Sequence, residues 1–256
     1  MKNILILAGR ELRSLFLSPL AWSILAIVQF IHAYLFMGQL EGFIEVQDRL
    51  NLMQSPAGLT EVVVMPVFGS WITIILWLMI VPLLTMRLIS EERRNRTISL
   101  LFSAPLSLTE IILGKYLGVL GFLILMIALI TLMPLSLMAS GDLDLGHLLA
   151  ILLGLFLLSA AFAATGLFMS TLTQYPVVAA ISSVGTLLLF LIIAWVGGDV
   201  RDDGTSNTLS YLSMLSHYEG LLRGVINSVD VIYFLLYISC FLILGIRRLD
   251  ADRLQA

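Results

Sequence analysis

No side chain between residues 14 and 40 carries a charge, and the same holds for 62–86, 116–141, 148–198 and 231–246. A spanning helix needs about 20 consecutive apolar residues. Lipid offers the backbone no hydrogen-bond partners, so such runs must close their own bonds as helices. Charged residues make up 12% of the 256, against about 25% in a soluble domain. These runs predict an all-α, polytopic membrane protein built as one domain over 1–256. The run 148–198 is too long for one span, and Thr171, Gln174 and Pro176 break it in two. Six spans follow, at 17–40, 62–86, 108–139, 148–172, 176–197 and 229–246. The last uncharged run is short, so its helix either recruits residues 228–230 or crosses a thinned bilayer.

Residues 1–16 read as an amphipathic helix. At helical spacing Ile4, Leu5, Ala8, Leu12, Leu15 and Phe16 share a face, with Arg10, Glu11, Arg13 and Ser14 opposite and Ile6 and Leu7 breaking the pattern. Arg10 and Arg13 interrupt the apolar stretch too early for a signal peptide, and an interfacial helix fits better. Charge sets the orientation. With six spans, 11 of the 14 basic and 6 of the 17 acidic residues lie on the side of the termini, a balance of +5. The other side holds 3 basic and 11 acidic residues, a balance of −8. Basic loops stay cytoplasmic, so both termini are expected there.

The one long charged stretch between two apolar runs is 87–115. It holds Arg87, Glu91, Glu92, Arg93, Arg94, Arg96, Glu110 and Lys115. Asn95 can cap a short helix through Ile98, Leu100, Leu101 and Phe102. Pro105 ends it, and Ser107 with Glu110 forms a capping box for the next helix. A solvated connector is the plain reading. A docking element over 91–106 accounts better for so many apolar residues in a water-facing loop.

The chemistry that is missing narrows the function. Within the spans His32 is the only ionisable group well inside a run, with Gln29 one turn before it. Intramembrane acids mark proton and ion pathways, and their absence argues against an ion-driven transporter. His32 reads as a helix–helix hydrogen-bonding group. The chain has no HExxH, no GxSxG and no GxxxxGK[ST], so no zinc protease, no nucleophile elbow and no P-loop are expected. The single Cys240 supports neither a disulfide nor a metal site. Ser159 and Ser170, set among Ala160, Ala161, Ala163, Ala164 and Gly166, read as close helix packing. Residues 209–227 read as outer re-entrant or interfacial helices broken at Gly220 and Gly224. There His217, Tyr218, Glu219 and Arg223 form either a hydrogen-bonded, gating cap or, as the less favoured reading, a catalytic or metal site.

The chain resembles ABC-2-type permeases, the membrane subunits of ATP-driven exporters. The resemblance covers the N-terminal helix, the six spans, and a loop carrying Pro82, Arg87, Glu91, Glu92, Arg93, Arg94, Thr97, Leu100, Leu101, Pro105, Ser107, Gly114, Lys115 and Tyr116. His217, Tyr218 and Glu219, Arg223 to Ile226, and Asp230 to Tyr233 are similar to the gliding-motility-permease subgroup. Two positions depart: Arg96 stands where the family usually has glycine, and Ser99 where it usually has an acid.

The resemblance implies a coupling helix. Glu91, Glu92, Arg93, Arg94, Thr97, Ile98, Leu101, Phe102 and Pro105 would contact a separate ABC ATPase, present in two copies and carrying the ATP and Mg. This chain would bind no cofactor and catalyse nothing itself. A homodimer or heterodimer of permeases would enclose the path in a bacterial plasma (inner) membrane, with a periplasmic accessory protein as a further partner and no nucleic acid. The apolar, Ser- and Thr-lined spans suit a lipid-like or amphiphilic cargo, or work on an outer protein. A non-transport membrane anchor or mechanotransmitting scaffold is the alternative.

Overall fold

The computed structural model describes residues 2–52, 58–98, 106–139, 143–199 and 213–254, and among them there is no strand. Helices α1 (Lys2–Leu17) and α2 (Pro19–Leu52) meet at Ser18. Pro19 opens α2, where a missing N–H is harmless. α2 runs for 34 residues, about 50 Å at 1.5 Å per residue, beyond the roughly 30 Å of hydrocarbon. The helix continues through residues 41–52, past the expected end of the first span at residue 40. Glu41 and Glu45 are good helix formers, Gly42 costs only about 1 kcal/mol, and no proline intervenes before Pro56.

The second uncharged run is not one helix. A π-helical turn (Thr60–Val64) leads into α3 (Met65–Gly69). Ser70 then turns extended (ψ 144°) and caps α4 (Trp71–Thr85), its Oγ accepting the Thr73 N–H at 3.1 Å. A serine gains more at a cap than inside a helix, which divides the expected span 62–86 there. α5 (Ser90–Arg94) is short. α6 (Leu108–Ser136) begins at the expected capping box: Ser107 Oγ accepts the Glu110 N–H at 3.1 Å, and the Glu110 carboxylate accepts the Ser107 N–H at 3.0 Å. α7 (Leu145–Leu172) starts three residues before the expected 148, because the Asp144 carboxylate accepts the N–H groups of Gly146 and His147. α8 (Pro176–Asp199) opens on its proline, followed by α9 (Met214–Leu222) and α10 (Ser228–Arg253).

Among the described residues five helices are long and apolar enough to cross a membrane: Pro19–Glu45, Trp71–Arg94, Leu108–Ser136, Leu145–Leu172 and Ser228–Arg253. Pro176–Ile192 is a shorter apolar helix. With the family reported below, they make this a multi-pass membrane protein.

α7 is the axis of the bundle, packed by α4, α6, α8, α9 and α10. Its Ala160, Ala161, Ala163, Ala164, Ser159 and Ser170 are all buried, as the small-residue pattern predicts. A Cβ on Gly166 would fall 2.0 Å from Thr85 Oγ1, so α4 rests on the α7 backbone. Apolar helices gain nothing from water exclusion inside lipid, so close approach and interhelical hydrogen bonds hold them. The Tyr116 hydroxyl donates to the Ala160 carbonyl at 2.9 Å, and the Thr165 and Tyr237 hydroxyls share a bond of 2.9 Å. His32 corrects its expected role. Its Nδ1–H donates to Val28 in its own helix at 2.9 Å, and the ring meets α3 through Phe68. A carbonyl one turn back is always within reach, whereas a partner across helices is not.

Candidate functional site

The polar end of the bundle gathers α1, α5, the start of α6 and the end of α10 around Lys115. Lys115 is 6% exposed. Its Nζ lies 2.8 Å from Glu92 Oε1 on α5 and 3.4 Å from Glu11 Oε2 on α1. Arg93, beside Glu92, pairs with Asp252 on α10, and Asp252 also holds Arg248 at 3.4 Å. The five-residue helix α5 is thereby joined to three other helices by charge.

α1 lies along α6 because Gly114 and Gly118 open a groove for it. Added Cβ atoms there would meet Leu7 Cβ at 2.6 Å and Glu11 Cβ at 2.7 Å. This changes the face read from helical spacing. Leu7 and Glu11, assigned to a break and to the polar face, turn toward α6, while Leu5 is left 69% exposed. The Lys115 partnership and the glycine groove outweigh the one extra apolar side chain. A small-xxx-small spacing was the available signal, as was a lysine closing an apolar run.

Asn95 ends α5, and most of the helix it was expected to cap lies outside the described residues. The Asn95 N–H bonds back to the Glu91 carbonyl at 2.9 Å. Arg96 then takes φ 57°, in the left-handed region, and the Thr97 N–H returns to the Glu92 carbonyl at 2.9 Å. Left-handed backbone costs an L-residue about 1–2 kcal/mol and glycine nearly nothing. The glycine usual at this position in the resembled family has that physical reason. Arg96→Gly is expected to leave the unfolding free energy equal or higher, by up to about 1 kcal/mol, read as an unchanged or raised melting temperature. A clear drop on thermal unfolding would show that the Arg96 side-chain contacts outweigh the backbone.

Of the residues expected to contact an ATPase, Glu92 and Arg93 point into the ion-pair cluster, whereas Glu91, Arg94 and Thr97 are exposed. Ile98 is half-buried and, with Arg93 and residues 172–175, lines a groove of about 480 Å³. The groove joins α5 to the turn between α7 and α8, bringing Thr173, Gln174 and Tyr175 to the same surface. Leu101, Phe102 and Pro105, with the helix expected through them, lie outside the described residues.

At the opposite end α9 caps the bundle. His217 and Tyr218 are buried, while Glu219 and Arg223 are exposed, so the four do not converge. The Tyr218 hydroxyl donates to the Phe68 carbonyl at 2.9 Å, and burial pushes its pKa far above the ordinary phenol value, keeping it a neutral donor. His217 Nδ1 is 2.7 Å from Asp230 Oδ1, and its ring stacks on Tyr233 at 4.2 Å. Asp230 is the partner that sequence reading missed. The helix ends at Gly224 (φ 79°), packed on His147, and Gly220 lies inside it. His147 Nε2–H donates to the Leu222 carbonyl at 2.7 Å, locking the cap to α7. Among the described residues no three of His, Cys, Asp and Glu converge as metal ligands do.

No protein of curated function matches the chain. The profile of the ABC-2 family transporter proteins does match, over residues 50–247, a stretch that takes in α3 to α9, Lys115 with Glu92 and Arg93, and most of α10, while Glu11, Arg248 and Asp252 lie outside it. The chain belongs to the ABC-2 transporter family, as a permease component of an ABC transporter.

Proposed function

We propose that this permease is driven by a separate ATPase that docks on α5 and the residues after it. The observation that carries the reading is the pair of ion-pair links, Glu92–Lys115–Glu11 and Arg93–Asp252. A displacement of α5 is passed by them to α1, α6 and α10. The groove lined by Arg93, Ile98, Thr173 and Tyr175 extends the docking surface onto the turn after α7. Two ATPase subunits carry ATP and Mg, and two permeases, identical or not, enclose the path. α8 is the fifth of six spans, and both termini face the cytoplasm at a bacterial inner membrane. The cargo is lipid-like or amphiphilic, or an outer protein is worked upon. The outer strings around His217 and Arg223 support the likeness to gliding-motility permeases.

Co-purification of the ATPase with variants tests the docking. Buried apolar anchors dominate interfaces, and exposed charges contribute about 0–1 kcal/mol. Leu101→Asp is expected to abolish binding and coupling, and Arg94→Ala to weaken them slightly. The reverse order would mean that charge alone holds the ATPase. If transported cargo never stimulates the ATPase in vesicles, the chain is an anchor or scaffold instead. Orientation has its own check: a cysteine placed at Ser55 or Ser206 in a Cys240→Ser background is expected to label from outside with an impermeant thiol reagent. Labelling only after permeabilisation reverses the topology.

A further inference from the structure

A cleft of about 250 Å³ opens where α1, the start of α2, the end of α4 and α5 meet, with Lys115 of α6 also lining it. Its lining has two characters. Ala21, Leu84 and Leu88 form a buried apolar floor with Leu20 and Leu83 at its rim, and the charged lining sets Arg10, Arg87 and Lys115 against Glu11, Glu91 and Glu92. Lys115 is already committed to Glu11 and Glu92. Arg10 and Arg87 are exposed, and among the described residues neither makes an ion pair, although Glu91 lines the same cleft.

The position of the cleft says what reaches it. Arg87 follows the apolar helix α4 by two residues, and Lys115 immediately precedes an uncharged run. The cleft is therefore at the edge of the apolar layer, open to both headgroups and water. α1, one of its walls, exposes Leu5, Ile6 and Leu17, as a helix resting on a lipid surface does. Its volume is below the roughly 300–1,000 Å³ of pockets that swallow a drug-sized ligand, so it holds a headgroup rather than a whole lipid.

We infer that this cleft binds a phosphate-bearing group through Arg10 and Arg87, with the chains of an amphiphile lying along Leu20 and Leu83, which line the cleft and keep exposed surface. Guanidinium is weakly hydrated and meets phosphate oxygens through two parallel N–H bonds. Basic pockets between helices at a membrane boundary hold phosphorylated headgroups for this reason. A bound phosphate would join α1, through Arg10, to the α4–α5 junction, through Arg87. These are the elements that Lys115 already joins, so occupancy would stiffen the same link. The inference goes beyond coupling and holds whether or not an ATPase docks.

The test measures retention of radiolabelled phosphatidylglycerol, and of diacylglycerol with the same chains, on the purified full-length chain in detergent. Phosphatidylglycerol is expected to be retained over diacylglycerol. Arg10→Ala with Arg87→Ala should reduce that retention by about tenfold or more. Ser14→Trp, which narrows the cleft and keeps both arginines, should do the same, and Arg94→Ala, outside the cleft, should not. Displacement by millimolar inorganic phosphate identifies a soluble phosphate as the ligand, and resistance to it identifies a lipid; both support a phosphate site. Equal retention of the two lipids overturns the inference, as does wild-type retention by the double variant and by Ser14→Trp.

Discussion

Lys115→Met is expected to lower the unfolding free energy by about 2–4 kcal/mol and to release both α1 and α5 from α6. Methionine keeps the length of the stem and removes the charge, which leaves Glu11 and Glu92 facing one another without their cation. Breaking a buried pair from one side costs about 3–5 kcal/mol, because the remaining charge is uncompensated. The range here is set lower because the two carboxylate side chains are 22% and 25% exposed, and water reaches them. Glu92 Oε2 raises the cost again, being buried without a hydrogen-bond partner. Thermal unfolding in detergent reads the stability, and amide hydrogen exchange along α1 reads its release. Neutralising the carboxylates too, as Lys115→Met with Glu11→Gln and Glu92→Gln, should recover part of the loss, since interacting sites are not additive. Arg248→Ala, whose side chain is 45% exposed, should change stability by no more than about 1 kcal/mol. A Lys115→Met protein that melts and exchanges like wild type would reduce the cluster to a surface ornament and remove the link on which the coupling proposal rests.

Gly166→Val is expected to be at least as damaging, at the seam between α4 and α7. The first atom of any side chain there would lie 2.0 Å from Thr85 Oγ1 and 2.9 Å from Thr85 Cβ. Thr85 cannot swing away cheaply. It is fully buried, and its hydroxyl donates to the Val81 carbonyl at 3.0 Å within α4. The helices must then separate along a buried seam. Overpacking of this kind costs about 1–3 kcal/mol, and more where backbone has to move. The control is Gly185→Val on α8, where an added Cβ meets nothing within 4 Å. Yield of folded protein in the membrane and melting temperature should fall for the first variant and hold for the second. Equal melting of the two would mean that α4 and α7 are not packed through this glycine.

Which residues are helical and apolar was legible in the chain alone, because lipid leaves a backbone few choices. Uncharged runs, Pro19, Pro176 and the Ser107–Glu110 box act over one or two turns, and each is found where its local chemistry puts it. The sites where the reading moved are those decided by competition at slightly longer range. Ser70 splits a run that hydropathy alone leaves whole, and Asp144 starts α7 early. α2 passes through a polar stretch because nothing there opposes helix. The partners were not legible. Lys115 is separated from Glu11 by 104 residues, and Arg93 from Asp252 by 159. Hydrophobic period says nothing about which charges meet once helices are brought together. Helical spacing placed Glu11 on the polar face of α1; only the packing of α1 into the Gly114 and Gly118 groove turned it toward Lys115. Likewise His217 was visible as a residue of the outer segment, but its bond to Asp230 exists because α9 folds back over the start of α10. The sequence alone therefore determined the kind of molecule and its helical segments. Tertiary structure decided which charges are buried together, since burial strengthens a charge pair only after the chain has chosen its neighbours.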